Sequence, residues 1–323
     1  MIEKFSNIYK SLTHKKMKKF NLKSKKLLTT ALFLTSGLTI LSHSNPVNAT
    51  DACPDPSTIT SPNDFGDGTS FISTTRGSCY GTPEEYGVTI YKMGLCTSNP
   101  APSSAGSAPD TSSCSFNFEK DDGEPASFAS GGEVDLSEEY SSRPEVGEYE
   151  FAYIEINKTF NVKASYGPIG DAARTTYFTN GTITEAGTVT GASTTPTASD
   201  GYVTSEAPLT TFGYLEGGGV VCTATGEESV TGGTIRAYLL DSSDTLIADD
   251  ASATECPGVT KLLGIMQLDT KVNITESTSS VKTIFKVENN GTSVVYDDVA
   301  DGIRFDSGPF SVSFETTEDT SES

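Results

Sequence analysis

The chain of 323 residues carries 43 Asp and Glu against 22 Lys and Arg, a formal net charge of −21, and no tryptophan. Its two histidines, His14 and His43, both precede residue 50. So acidic a chain repels nucleic acid and anionic membranes. Beyond residue 49 it can build no Ser-His-Asp triad, no Cys-His pair and no His-ligated zinc, copper or haem site.

The first 49 residues read as a secretory signal peptide. Lys15, Lys16, Lys18, Lys19, Lys23, Lys25 and Lys26 precede an apolar run over residues 27–41, and Val47 and Ala49 mark a small-residue cleavage site. The run falls short of the roughly 20 residues that a membrane span needs; an uncleaved anchor is the alternative. Cleavage after Ala49 leaves 274 residues with 13 basic and 42 acidic side chains, a net charge of −29. That predicts a secreted protein at the cell surface or in the medium, with the periplasm also compatible and no membrane contact after leader removal.

All six cysteines, Cys53, Cys79, Cys96, Cys114, Cys222 and Cys256, follow the leader. An even count in an exported chain reads as disulfides. Sequence alone does not choose among the pairings. The expectation adopted is sequential: Cys53 with Cys79, Cys96 with Cys114, Cys222 with Cys256. No Cys-x-x-Cys occurs to suggest a metal cluster.

Residues 50–77 are rich in Pro, Ser, Thr, Asp and Gly and read as an N-terminal arm, with one strand candidate at 69–74. Residues 63–68 (NDFGDG) read as a turn, because they lack the ligand spacing of a calcium loop. Residues 86–96 form a strong strand, 99–113 a Pro/Ser-rich loop, and 114–119 a strand with Phe116 and Phe118 on one face. Residues 120–124 (KDDGE) predict a turn and 126–136 a weak strand. Residues 145–166 predict a long hairpin turning at Asn157-Lys158, apolar on both faces and therefore covered on both sides. Its stripe Tyr149/Phe151/Tyr153 is either a ligand platform or, more simply, core packing.

Residues 86–166 thus join a strand ending in Cys96, a loop, Cys114, Asp135-Leu136-Ser137, and Gly147-Glu148-Tyr149 opening a hairpin. This stretch, about a quarter of the chain, resembles the prealbumin-like β-sandwich domains of unknown function found in many secreted bacterial proteins. The resemblance implies an immunoglobulin-like or transthyretin-like sandwich and attaches no catalytic residue.

Residues 167–200 are rich in Thr, Gly, Ala and Ser, and 188–200 read as a linker or a long surface loop. Short strands are expected near 202–203, 209–214, 220–223 and 234–241, and 261–273 reads better as strand than as helix. Residues 280–297 predict a hairpin turning at Asn289-Asn290-Gly291, followed by closing strands at 303–305 and 309–315. The acidic tail 316–323 predicts disorder.

Two kinds of polar site stand out. Sequons occur at Asn157, Asn180, Asn273 and Asn290, mostly where turns call for Asn in any case. Acidic clusters occur at Asp121/Asp122/Glu124, Glu138/Glu139 and Asp297/Asp298/Asp301, with Asp306 close by. Paired carboxylates could serve glycoside hydrolysis, but a sugar cleft usually offers indole platforms that this chain lacks. Asp297, Asp298 and Asp301 are the best candidates for calcium, the one cofactor the sequence leaves open; solvated acidic loops are the plainer reading.

Many short strands and turn signals predict an all-β fold: a disulfide-stapled β-sandwich, immunoglobulin-like or prealbumin-like, one large or two small. The divisions expected are 78–187, the loop or linker 188–200, and a second β region over 201–315. The function expected is non-enzymatic: a structural or adhesive surface protein, partnered by itself as a homopolymer or by other cell-surface components. Strand addition would join copies, with 69–74 or 310–315 donating. The alternative is a secreted or periplasmic binding module for a small ligand, glycan or calcium.

Overall fold

The computed structural model describes residues 52–59, 76–129, 143–169, 174–182, 186–214, 220–230, 232–297, 302–308 and 310–318. It is all-β, with no α-helix among the described residues. The strands are β1 (Arg76–Gly81), β2 (Glu85–Cys96), β3 (Cys114–Ala129), β4 (Gly147–Asn157), β5 (Thr159–Lys163), β6 (Ser165–Ile169), β7 (Thr175–Phe178), β8 (Gly187–Thr190) and β9 (Ser205–Pro208). They continue as β10 (Gly213–Tyr214), β11 (Val220–Val221), β12 (Thr225–Val230), β13 (Gly233–Leu240), β14 (Lys261–Ile274), β15 (Thr278–Lys286), β16 (Thr292–Asp297), β17 (Gly302–Ser307) and β18 (Ser311–Glu318).

β2 is the spine of an eight-stranded antiparallel sheet. β3 runs along one edge of it, and β4 and β5, end to end, along the other. β14 pairs with β4 and β9 with β5, and β13 and β12 extend the sheet beyond β14. Directly opposed residues share a face, so Ile90, Ile156 and Leu262 form one row, and Met93, Ile154 and Gly264 another. Every residue from Ala152 to Ile156 is buried, Glu155 included, so β4 is covered on both faces as its sequence predicts.

The second layer comes from the last strands. β16 lies between β1 and β17, while β15 pairs with β18. Rings tie the layers together. Phe285 of β15 sits 5.0 Å from Phe128 of β3, and Phe310 sits 6.3 Å from Tyr86, which packs 5.7 Å from Phe160. Val312 and Phe314 reach Met93, Ile154 and Met266 of the large sheet, leaving a gap of only about 10 Å³. Two apolar faces closed on each other in this way make a β-sandwich. Three disulfides staple it: Cys53–Cys79, Cys96–Cys114 and Cys222–Cys256.

Residues 44–323 form one compact unit. Strands on both sides of 188–200 share the large sheet, β2 to β5 before it and β9 and β12 to β14 after it. That stretch therefore loops out of one sandwich. It contains the end of β8 and a single 3₁₀ turn capped reciprocally by Thr197 and Asp200.

Several local expectations are corrected. Asn157-Lys158 does not reverse the chain. The Asn157 side chain accepts from the Thr159 amide at 2.8 Å, and the strand bends there and continues along β2 as β5. This is an Asx turn used as a kink. Residues 120–124 are not a hairpin turn either. Between the pairs Lys92/Glu119 and Ile90/Glu124, residues 120–123 oppose Tyr91 alone, a large bulge inside β3. Gly123 suits it, with φ +71° and no room for a Cβ beside Thr89 and Tyr91. A second bulge, at Asn117, sends Phe116 and Phe118 to opposite faces: Phe118 opposes Met93, while Phe116 opposes Gly94 and packs 5.3 Å from Tyr153. Residues 280–297 are not a hairpin, because β15 pairs with β18 and β16 with β1 and β17. The tail is ordered through Glu318, since β18 pairs as far as Thr278.

Candidate functional site

Two features of the sandwich could carry chemistry or recognition: a buried charged cluster and the sheet edges. The cluster lies on the face of the large sheet turned away from β18. Glu155 on β4 points there, its alternation set by Ile154 and Ile156 on the other side. Lys261 opens β14 opposite Asn157. Its ammonium lies 2.6 Å from Glu155 Oε1 and 2.7 Å from Asp244 Oδ1, and 4.9 Å above the Tyr91 ring. Tyr153 donates to Glu155 Oε2 at 3.1 Å, and Asn157 Nδ2 donates to the Tyr91 hydroxyl at 3.0 Å. Burial, helped by the Glu155 charge, pushes the Tyr153 phenol well up. Burial works to lower the Lys261 pKa, and the hydrogen bonds and charges of Asp244 and Glu155 more than reverse it. Every member has a partner and the ammonium stays charged, so the cluster behaves as a structural ion-pair network.

The edges are chemically unequal. The bulged middle of β3 presents Glu119, Lys120, Asp121, Asp122, Glu124 and Pro125, which block further pairing there. β9 is four residues long and ends in Pro208. On β12, Glu227 pairs with Arg236, and the neighbouring Glu228 is half-buried with Oε1 lacking a hydrogen-bond partner. Burial pushes the Glu228 carboxyl up to about 7. A carboxylate turned inward on an edge strand opposes edge-to-edge stacking.

The β15–β18 ribbon differs. It is a sheet of two strands, contains no proline, and sets Lys282 opposite Glu315. Two strands alone are marginal in water; this pair is held by Phe285, Phe310 and Val312, all buried. Its far end is latched by Glu318, whose carboxylate accepts from the hydroxyls of Ser277, Thr278 and Thr275. Those bonds hold the Glu318 carboxyl below its usual range. Nearby, Arg143 Nη1 donates to the carbonyls of Thr275 and Thr278, each at 3.0 Å.

The residues expected to act are placed as follows. Asp297 ends β16, and Asp298 and Asp301 lie outside the described residues. No group of three or more His, Cys, Asp or Glu could hold a metal ion among the described residues. Tyr149 and Tyr153 of the aromatic stripe are buried, and Tyr149 donates to the Glu145 carbonyl, so the stripe is packing. The strand candidate 69–74 and Asp135-Leu136-Ser137 lie outside the described residues. The arm is not a free tail: Cys53 is bridged to Cys79, and the Cys53 amide donates to the Tyr80 carbonyl at 2.8 Å. Residues 310–315 are already used, in β18 and its approach. Among the sequons, the Asn157 side chain is engaged on both sides, and Asn273 is exposed. The widest hollow, about 530 Å³ and open to solvent, is lined by Lys158, Thr210 and residues 252–259.

No protein-family model matches the chain, and no curated protein or solved structure is significantly similar to it. No helix among the described residues is long and apolar enough to cross a membrane. Three disulfides are consistent with an oxidising extracellular or periplasmic compartment.

Proposed function

We propose that this protein is a secreted, non-enzymatic structural subunit that assembles with copies of itself through its sheet edges. The observation that carries this reading is the β15–β18 ribbon, a two-stranded sheet on a sandwich whose large-sheet edges are blocked by bulge, proline and inward carboxylate. Natural sandwiches guard edges that must stay single and leave open those that join. The disulfides support the same reading, since cross-links preserve a subunit exposed outside the cell. The charged cluster supports it as well, being paired throughout rather than poised for proton transfer.

The test is negative-stain electron microscopy of the natively secreted, leader-free protein. Regular filaments or sheets are the expected result. Dispersed single-chain particles at all concentrations would remove the reading and turn attention to ligands in the hollow beside Lys158.

A further inference from the structure

Resting on that reading, we infer that the joining element is β18 itself, exchanged between copies so that β18 of one chain pairs with β15 of the next. Everything described beyond residue 310 makes its strand bonds with β15 alone, from Lys286 opposite Ser311 to Thr278 opposite Glu318. The strand is also a plug. Val312 and Phe314 fill a groove of the large sheet lined by Met93, Ile154, Ile235 and Met266. Its bonds and contacts are the same whether the strand comes from its own chain or a neighbour's, the condition that makes exchange a low-cost route to assembly.

The pivot is short and well placed. β17 is fixed by its pairing with β16, and the Gly308 amide donates to the Gly291 carbonyl at 3.0 Å. A Cβ on Gly308 would collide with the Asn290 carbonyl, so the chain is pinned up to that residue. Release begins at Pro309. A proline there biases the preceding residue toward extended backbone, which suits a crossover to a neighbour.

Charge selects the partner. Copies carrying a net charge of −29 after leader removal repel one another over most of their surface. β15 supplies Lys282 and Lys286, two of only 13 basic residues in the mature chain, and the incoming strand carries Glu315 and Glu318. The hydroxyls of Thr275, Ser277 and Thr278 then receive the Glu318 carboxylate and fix the register at the far end. One groove and one strand per copy make a head-to-tail contact, which propagates into a filament when its rotation does not close.

The test is the double variant Ser280→Cys/Thr317→Cys, two exposed and directly opposed positions. The native cysteines are all bridged, so the new pair supplies the only thiols. The protein is assembled under conditions that keep the new pair reduced, then oxidised and run on a non-reducing denaturing gel. Exchange predicts a ladder of covalent multimers with little single chain left. Assembled material that runs as single chains, with the new bridge inside each copy, overturns exchange while leaving assembly intact. Absence of assembly in the unsubstituted protein overturns the parent reading instead. A second measurement needs no substitution. Isotopically light and heavy copies are assembled together and joined by a zero-length amine–carboxyl cross-linker. Peptides linking Lys282 to Glu315 should be mixed light–heavy in about half of cases if strands exchange, and never mixed if they do not.

Discussion

Replacing Lys261 with methionine tests the charged cluster most directly. The Glu155 side chain is 6% exposed and that of Lys261 22%, whereas that of Asp244 is 47% exposed. At the 2.6 Å contact between Lys261 and Glu155, the gross attraction is about 6 kcal/mol at an effective dielectric of about 20. Burying the Glu155 carboxylate costs several kcal/mol in the other direction. Lys261→Met removes the attraction and keeps the burial, so the loss should be about 3 kcal/mol. That is a fall in Tm of about 6–12 °C for a domain of this size. Asp244→Asn should cost less than about 1 kcal/mol, because water screens a half-exposed carboxylate. The double variant Lys261→Met/Glu155→Gln should recover at least half the loss, since no buried charge is then left alone. Thermal and guanidinium melts at pH 7 measure all three. A loss below about 1 kcal/mol for Lys261→Met, or equal losses at Lys261 and Asp244, would refute the reasoning. The pH dependence has a definite sign. The Lys261 pKa is raised above its ordinary 10.5, so its contribution is full below that pH and disappears as pH rises through the higher folded value.

The other predictions concern the staples, the core and the edges. Replacing Cys222 and Cys256 by serine should cost about 4 kcal/mol by loop-closure entropy, and removing the Cys96–Cys114 bridge about 3, for separations of 34 and 18 residues; chemical denaturation of the variants checks the order. Phe285→Ala should cost about 3–5 kcal/mol, because the ring is buried between the layers against Phe128 and Phe310. Glu228 has a folded pKa of about 7, above its ordinary 4.5, so stability should fall as pH rises from the lower value to the higher. Glu228→Gln should therefore stabilise by about 1 kcal/mol at pH 8, allowing for partial exposure, and be neutral near pH 4. The Glu318 pKa is lowered below 4.5, so its latch holds above that pH and opens as pH falls through the lower folded value. Glu318→Ala should mimic acid and speed amide exchange at the start of β15; unchanged exchange there would count against the latch.

What the sequence determined by itself is local chemistry. Alternating β-branched and aromatic residues at 86–96 and 261–273 fix strands, because a half-buried pleat favours them. Even, well-spaced cysteines and an acidic, histidine-free chain fix the likeness to an exported, bridged protein and exclude most catalytic constellations. Turn chemistry was legible in position but not in outcome. Asn157 and residues 289–291 do bend the backbone, yet neither makes a hairpin, because an Asx turn sets only a few dihedrals. Whether the chain then reverses or runs on depends on which edge lies open beside it, and β2 and β18 supply those edges. Bulges were invisible for the same reason: one extra residue at Asn117 moves Phe116 to the other face. β12, with the sequence TGEESV, carried no strand signal and is a strand only because β13 offers it an edge. Tertiary structure alone decided that residues on both sides of 188–200 share one sheet, that Glu155 meets Lys261 across 106 positions of sequence, and that β18 is bound to a single partner. Pairing between distant strands is a choice among edges made by the whole chain, and no local pattern encodes it.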